Sequence, residues 1–248
     1  MPANAHDWYA SWFDSPYYHR LYAHRDDTEA QRFITRLLEY LDPQSGANML
    51  DVACGKGRHA RQLAQGPFFV TGIDLSRQSI AAARQHERSN LSFFEHDMRH
   101  LFRTQYFDFI FNFFTSFGYF ESDRDHVNAL TAIRKGLKAD GKFVLDFLNA
   151  FRVVQELVTQ ETIARDGLEF QITRRYDGRH ILKTIGFIDQ GTTYHFEERV
   201  RAFDKAQLVA LLQTAGLEVV DALGDYELHP YHPDEADRLI LIAQPIAR

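Results

Sequence analysis

The stretch Leu50-Asp51-Val52-Ala53-Cys54-Gly55-Lys56-Gly57-Arg58-His59 decides how the rest of the chain is read. An apolar run with an acid in it ends, two glycines follow with one residue between them, and a helical pattern begins. Glycine is needed where a turn demands positive φ or where a ligand lies against the backbone. A helix that starts directly after such a turn presents free N–H groups to a negative ligand group.

Outward from this turn, short apolar runs alternate with amphipathic segments. The pattern predicts strands at 48–53, 68–74, 91–95, 107–113 and 142–147, with helices at 58–65, 76–88 and 124–137 between them. Strands alternating with helices imply βαβ units and a mostly parallel, doubly wound α/β sheet. Upstream, acids at Asp26, Asp27 and Glu29 suit a helix start, and Phe33, Ile34, Leu37, Leu38 and Leu41 recur at helical spacing until Asp42-Pro43. Downstream, 170–176, 181–188 and 193–203 read as three strands joined at Asp177-Gly178 and Gln190-Gly191, both hairpin signals. The α/β rhythm then resumes. Asp204 caps a helix that Ala215-Gly216 closes, and 217–223 and 239–243 form the last two strands. The expected organisation is an N-terminal helical lid over 1–46, a core made of 47–150 and 204–248, and an antiparallel insert over 151–203 that serves as a cap or a dimer element.

Composition narrows the partners. A formal net charge of −6 gives no attraction for phosphate backbones, so nucleic acid is not expected. The only cysteine is Cys54, which excludes an internal disulfide and fits a reducing compartment. The first residues carry neither a basic start nor an apolar core of a leader peptide, and no apolar run reaches the ~18 residues of a membrane span. The expectation is a cytoplasmic protein without a membrane partner, monomeric or homodimeric. His229, His232 and Asp234 have loose metal-ligand spacing but no completing cluster, so no metal is expected.

The turn alone leaves two ligands open. Gly55-x-Gly57-x-x-Ala60 fits the dinucleotide fingerprint, with Asp74 as the ribose acid. Two features favour methyl transfer instead. Asp51 lies four residues before the first glycine, where a pyrophosphate gains nothing from a carboxylate but a ligand bearing an ammonium and a sulfonium does. The chain also closes with a helix and two strands after an antiparallel insert, not with a second mononucleotide-binding half. Asp74 ends the second strand and can accept both ribose hydroxyls, since Ser76 is available to cap the next helix. Asp97 after the third strand can accept an adenine amino group, with Met98 on the ring face.

On these residues the chain resembles the class I methyltransferases, the seven-stranded Rossmann-like enzymes dependent on S-adenosylmethionine. Asp51…Gly55-x-Gly57 resembles their first motif, with Ala53 at the usual first glycine, Asp74 their second-strand acid and Asp97 their adenine residue. The resemblance implies a sheet of order 3-2-1-4-5-7-6 with the last-numbered strand antiparallel, and S-adenosyl-L-methionine as cofactor, released as S-adenosyl-L-homocysteine. It implies cofactor contacts at Asp51, Ala53, Gly55, Gly57, Asp74, Leu75, Asp97, Met98, Asn112 and Phe113. Tyr22 and Arg25 would come from a Tyr-rich lid helix. Base-modifying relatives carry an Asn/Asp-Pro-Pro-Tyr/Phe motif after the fourth strand; here Asn112-Phe113-Phe114-Thr115 stands instead, which points to a small-molecule acceptor. Tyr119, Tyr194 and His195 are the candidate proton acceptors, and Ser116, Asn149, Arg174 and Tyr226 the candidate substrate contacts. A nicotinamide-dependent oxidoreductase, a non-catalytic binding protein and a protein or RNA methyltransferase are the competing readings.

Overall fold

The computed structural model describes residues 12–22 and 27–247. Its elements alternate for the first half of the chain. They are α1 (Pro16–Leu21), α2 (Asp27–Leu41), β1 (Asn48–Val52), α3 (Arg58–Leu63), β2 (Phe69–Asp74), α4 (Arg77–Ala83), β3 (Leu91–Glu95), β4 (Phe107–Asn112), α5 (Asp123–Gly136) and β5 (Leu137–Leu148). The second half holds α6 (Ala150–Gln155), β6 (Gln160–Arg165), β7 (Leu168–Tyr176), β8 (His180–Asp189), β9 (Thr192–Arg201), α7 (Lys205–Thr214), β10 (Leu217–Leu223) and β11 (Arg238–Pro245). Among these, no helix is long and apolar enough to cross a membrane.

Seven strands form one sheet in the order β10-β11-β5-β4-β1-β2-β3. Counted along this sheet, that is 3-2-1-4-5-7-6, with the last strand, β11, antiparallel to both neighbours. The central strands β1, β2, β3, β4 and β5 pair in parallel. β1 and β2 are buried on both faces and show near-continuous burial, while the edge strand β3 alternates. One core, on the α5 and α7 side, gathers Val52, Ile110, Leu130, Ile133, Leu208 and Leu212. The other, on the side of α2, α3 and α4, gathers Phe33, Leu37, Leu63, Ile80, Phe93 and Phe111. A register shift between Phe107 and Phe109 moves Phe107 to the first core while Phe111 and Phe113 face the second.

Local chemistry agrees with the elements. Ser76 caps α4 by accepting the Ser79 amide at 3.0 Å, and Asp204 and Gln207 form a reciprocal capping box at α7. Gly216 takes φ +83° directly after α7, as the sequence predicts. α4 ends at Ala83 in a short 3₁₀ turn, five residues earlier than the pattern predicts.

The insert is a separate four-stranded antiparallel sheet, β6-β7-β8-β9, where three strands are expected. The extra one, β6, is an edge strand with a single large aliphatic residue, Ile163, so its apolar signal is weak. It joins β7 through Asp166-Gly167, both at positive φ, the same two-residue hairpin chemistry as Gln190-Gly191. The inner face of this sheet has its own core, in which Phe170, Ile172, Ile185 and Phe187 pack against Trp12 and Leu21. Arg20 donates to the Asp166 carbonyl at 2.6 Å and Tyr17 to Asp189 at 2.9 Å, so α1 is fastened to the insert.

Candidate functional site

The C-terminal ends of β1, β2, β3 and β4 lie side by side, which is where open α/β sheets bind ligands. A cavity of about 540 Å³ opens there, bounded by the post-strand loops below and by residues 13–22 above. Its volume suits a drug-sized or nucleoside-sized ligand. It runs from Asp97 and Met98 past Asp74 and Leu75 and the turn at Ala53 and Gly55 to Phe113, Ser116 and Tyr119.

The turn after β1 is built around two demands. Ala53, Gly55 and Gly57 all have positive φ, at 58°, 56° and 80°. A side chain at Gly57 would also meet the Phe93 ring at 2.5 Å, so the glycine is needed for conformation and for space. Asp74 then locks the turn to β2. Its carboxylate accepts the Gly55 amide at 2.8 Å and the Ser76 amide at 2.7 Å. Burial raises the Asp74 carboxyl above its ordinary value, and those two amides limit the rise.

Asp51 lies beneath the turn, 1 % exposed. Neither carboxylate oxygen has a hydrogen-bond partner among the described residues. Burial pushes the group up to about 8; the Ala60 amide eases the charge without reaching hydrogen-bonding geometry. Asp97 is held by Arg99, whose Nε and Nη2 donate to it at 3.0 and 2.6 Å. Burial works against its charge, but these bonds keep the carboxyl below the ordinary range, so it stays an ionised acceptor. Asn112 does not reach the cavity. It is buried and donates to the Val52 carbonyl at 3.0 Å, tying β4 to β1, while its Oδ1 has no partner among the described residues.

The upper wall is aromatic. Phe13, Tyr18, Tyr22 and Tyr119 line the cavity, and Phe13 meets Tyr119 edge-on at 5.1 Å. The Tyr22 hydroxyl donates to Glu198 at 2.7 Å and meets the Lys183 ammonium, so the lid helix is anchored to β8 and β9. Trp12 donates to the same Glu198 at 2.7 Å. Arg25 lies outside the described residues.

Besides Asn112, the expected contacts Asp51 and Gly57 do not line the cavity, and five further expected residues stand away from it. Tyr194 faces the inner side of the insert, stacked on Phe187 at 5.1 Å, and His195 is on the exposed outer side. Helix α1 lies between that sheet and the cavity, so neither side chain reaches it. Arg174 pairs with Glu161 across β6 and β7. Asn149 is buried, donating to the carbonyls of Pro233 and Ala236 at 2.7 and 2.8 Å. The Tyr226 hydroxyl bonds Asp146 at 3.1 Å while its ring packs on Phe33. Exposed-strand Arg, Tyr and His serve the sheet itself here.

The cavity also recruits residues with no sequence signal of their own. His19 lines it with an Nε2 that has no partner among the described residues, and burial, helped by Lys56, pushes its imidazole down to about 4, so it is neutral at pH 7. Phe114 and Thr115 line it at φ 59° and 58°, two consecutive left-handed residues that no glycine announces.

Residues 49–141 match the family model described as a methyltransferase domain. This chain carries a methyltransferase domain. The match spans the turn, Asp74, Asp97 and the loop after β4. A curated relative, the dTDP-3-amino-3,6-dideoxy-alpha-D-glucopyranose N,N-dimethyltransferase of Streptomyces fradiae, is 27% identical over 70% of this chain and 71% of its own length. A S-adenosylmethionine-dependent methyltransferase from Clostridium acetobutylicum superposes with a TM-score of 0.78 at 18% identity, covering 98% of this chain and 100% of that one. A SAM-bound amino pentose methyltransferase from Micromonospora echinaspora gives a TM-score of 0.65 at 19% identity, over 90% of this chain and 93% of that one. The fold is that of the S-adenosylmethionine-dependent methyltransferases, and the cavity opens at the ends of its parallel strands.

Proposed function

We propose that this S-adenosylmethionine-dependent methyltransferase methylates nitrogen or oxygen on a small molecule that enters between the lid helix and the loop after β4. One observation carries the reading: a single cavity runs from Asp97 past Asp74 and Gly55 to an aromatic end at Tyr119. A ligand with an adenine, a ribose and a charged amino-acid tail matches that order of groups. Asp97 would take the adenine amino group, with Met98 against the ring. Asp74 would take the ribose hydroxyls, and Leu75 would pack beside them. The backbone at Ala53 and Gly55 leaves room for the ligand to lie flat, and a cationic group bound above them would favour ionisation of the buried Asp51 carboxyl beneath the turn. Phe113 would back the amino-acid half, with Tyr22 above.

When bound, the cofactor supplies an electrophilic methyl group on its sulfonium. The protein's task is then alignment and exclusion of water. Phe13, Tyr18 and Tyr22 close the cavity, and Tyr119 and Ser116 stand at the end where an acceptor would meet the methyl group. An amine acceptor attacks as its neutral form and the methylated ammonium then loses its proton to solvent; Tyr119 is the side chain we assign to orient the amine by accepting a hydrogen bond at its hydroxyl oxygen. Residues 12–22 share a core with the insert and would act with 151–203 as one cap, while α2 packs on the seven-stranded sheet. The net charge of −6 supports a role without nucleic acid.

The test is methyl transfer from radiolabelled S-adenosylmethionine to a panel of amino sugars, small amines, phenols, RNA and peptides. Label in a small amine or hydroxyl compound is expected. Label confined to RNA or polypeptide would overturn the reading.

A further inference from the structure

The loop after β4 is strained, and an ion pair on the neighbouring strands holds it. Asp146 on β5 is 1 % exposed. One of its oxygens accepts Arg238 Nε at 2.8 Å, and the other accepts the Phe114 amide at 2.8 Å and the Tyr226 hydroxyl at 3.1 Å. Its backbone carbonyl accepts the Thr115 amide at 2.9 Å. Arg238 on β11 completes the ring, because its Nη2 donates to the Thr115 hydroxyl at 2.9 Å and its guanidinium lies 5.6 Å from the Phe114 ring centre. Three of these hydrogen bonds and the guanidinium–ring contact end on the two residues at left-handed φ, and both residues line the cavity. Left-handed backbone at a bulky or β-branched residue persists only where surroundings over-determine it.

We propose that Asp146 and Arg238 are positioning residues that fix the Phe114-Thr115 corner as the wall for the amino-acid half of the cofactor. This rests on the cofactor reading above. The sheet order supplies the direction. Asp97 follows β3, Asp74 ends β2, Gly55 follows β1 and the corner follows β4, so the corner stands at the opposite end of the cavity from the adenine acid. A nucleoside lacking the amino-acid tail spans only the β2–β3 end and leaves the corner untouched. The pair therefore controls affinity for the tail and not for the adenosine.

The test is calorimetric titration of the full chain with S-adenosylhomocysteine and, separately, with adenosine. Two variants are used. Arg238→Lys keeps a cation beside Asp146 but loses the two-nitrogen fork that spans Asp146 and Thr115. Thr115→Gly removes the hydroxyl and the strain together and leaves the buried ion pair intact, so its melting temperature is expected to equal or exceed that of the parent. In both variants S-adenosylhomocysteine affinity is expected to fall about tenfold, with adenosine affinity unchanged. Unchanged S-adenosylhomocysteine affinity, or a parallel loss of both ligands, overturns the proposal. Failure of the parent protein to bind S-adenosylhomocysteine would overturn the cofactor reading itself, which is a distinct result.

Discussion

A carboxylate oxygen of Asp74 accepts the Gly55 amide at 2.8 Å. The acid that ends β2 and the glycine turn that follows β1 are thus one object, and ligand contacts at either depend on the other. Asp74 carries a burial penalty, so its removal relieves a cost while freeing two amides. Asp74→Ala is expected to lower S-adenosylhomocysteine affinity by about two orders of magnitude while the melting temperature moves only a few degrees. Calorimetric titration alongside thermal melting checks this. Retained affinity would remove Asp74 from the cofactor site.

Ala53 occupies a position where glycine is the usual residue, and it takes φ 58°. A left-handed alanine costs about 1 kcal/mol relative to glycine at such a site. Ala53→Gly is therefore expected to stabilise the protein by roughly 0.5–1 kcal/mol, less the extra freedom it gives the unfolded chain. Urea unfolding at matched slope measures it. A lower midpoint would mean that the alanine methyl makes a packing contribution larger than its backbone strain.

Asp51 links stability to pH. Its carboxyl keeps a proton to about pH 8 in the fold, against 3.8 as its ordinary value. Between those values the native state binds more protons than the unfolded one, so stability falls as pH rises from about 4 to about 8, by at most roughly 1.4 kcal/mol per pH unit. Asp51→Asn removes that slope. Melting temperatures from pH 4 to pH 9 should converge for variant and parent near pH 4 and diverge in the variant's favour toward pH 8. Parallel curves would count against a protonated Asp51.

Glu198 joins the lid to the insert through Trp12, Tyr22 and the nearby Lys183. Glu198→Ala leaves Lys183 buried without its carboxylate and should loosen α1, which shares a core with the insert and not with the seven-stranded sheet. Dissociation of S-adenosylhomocysteine is expected to accelerate about tenfold, read by stopped-flow displacement. An unchanged rate would show that α1 does not gate the cavity.

The parts of this molecule that were legible are those fixed by local chemistry. The β1 turn announced itself through two glycines and an acid, and α7 through Asp204 and Gly216. Long-range placement was not legible. Tyr194 and His195 have suitable chemistry, but whether α1 would stand between them and the cavity depends on how residues 12–22 pack on the insert. β6 was missed because an edge strand needs little apolar surface, although Asp166-Gly167 carried the hairpin signal. The corner at Phe114 and Thr115 had no signal, since nothing in Phe-Thr predicts left-handed backbone. Its cause lies on β5 and β11, 31 or more residues away in sequence, at Asp146 and Arg238.

The identity of the cofactor underlies every ligand contact assigned above. Calorimetric titration of the full chain with S-adenosylhomocysteine and with NAD decides between the two ligands that the glycine turn allows. Saturable binding of S-adenosylhomocysteine at one site per chain, with no heat from NAD, is the predicted result. Binding of NAD with no response to S-adenosylhomocysteine would contradict the account.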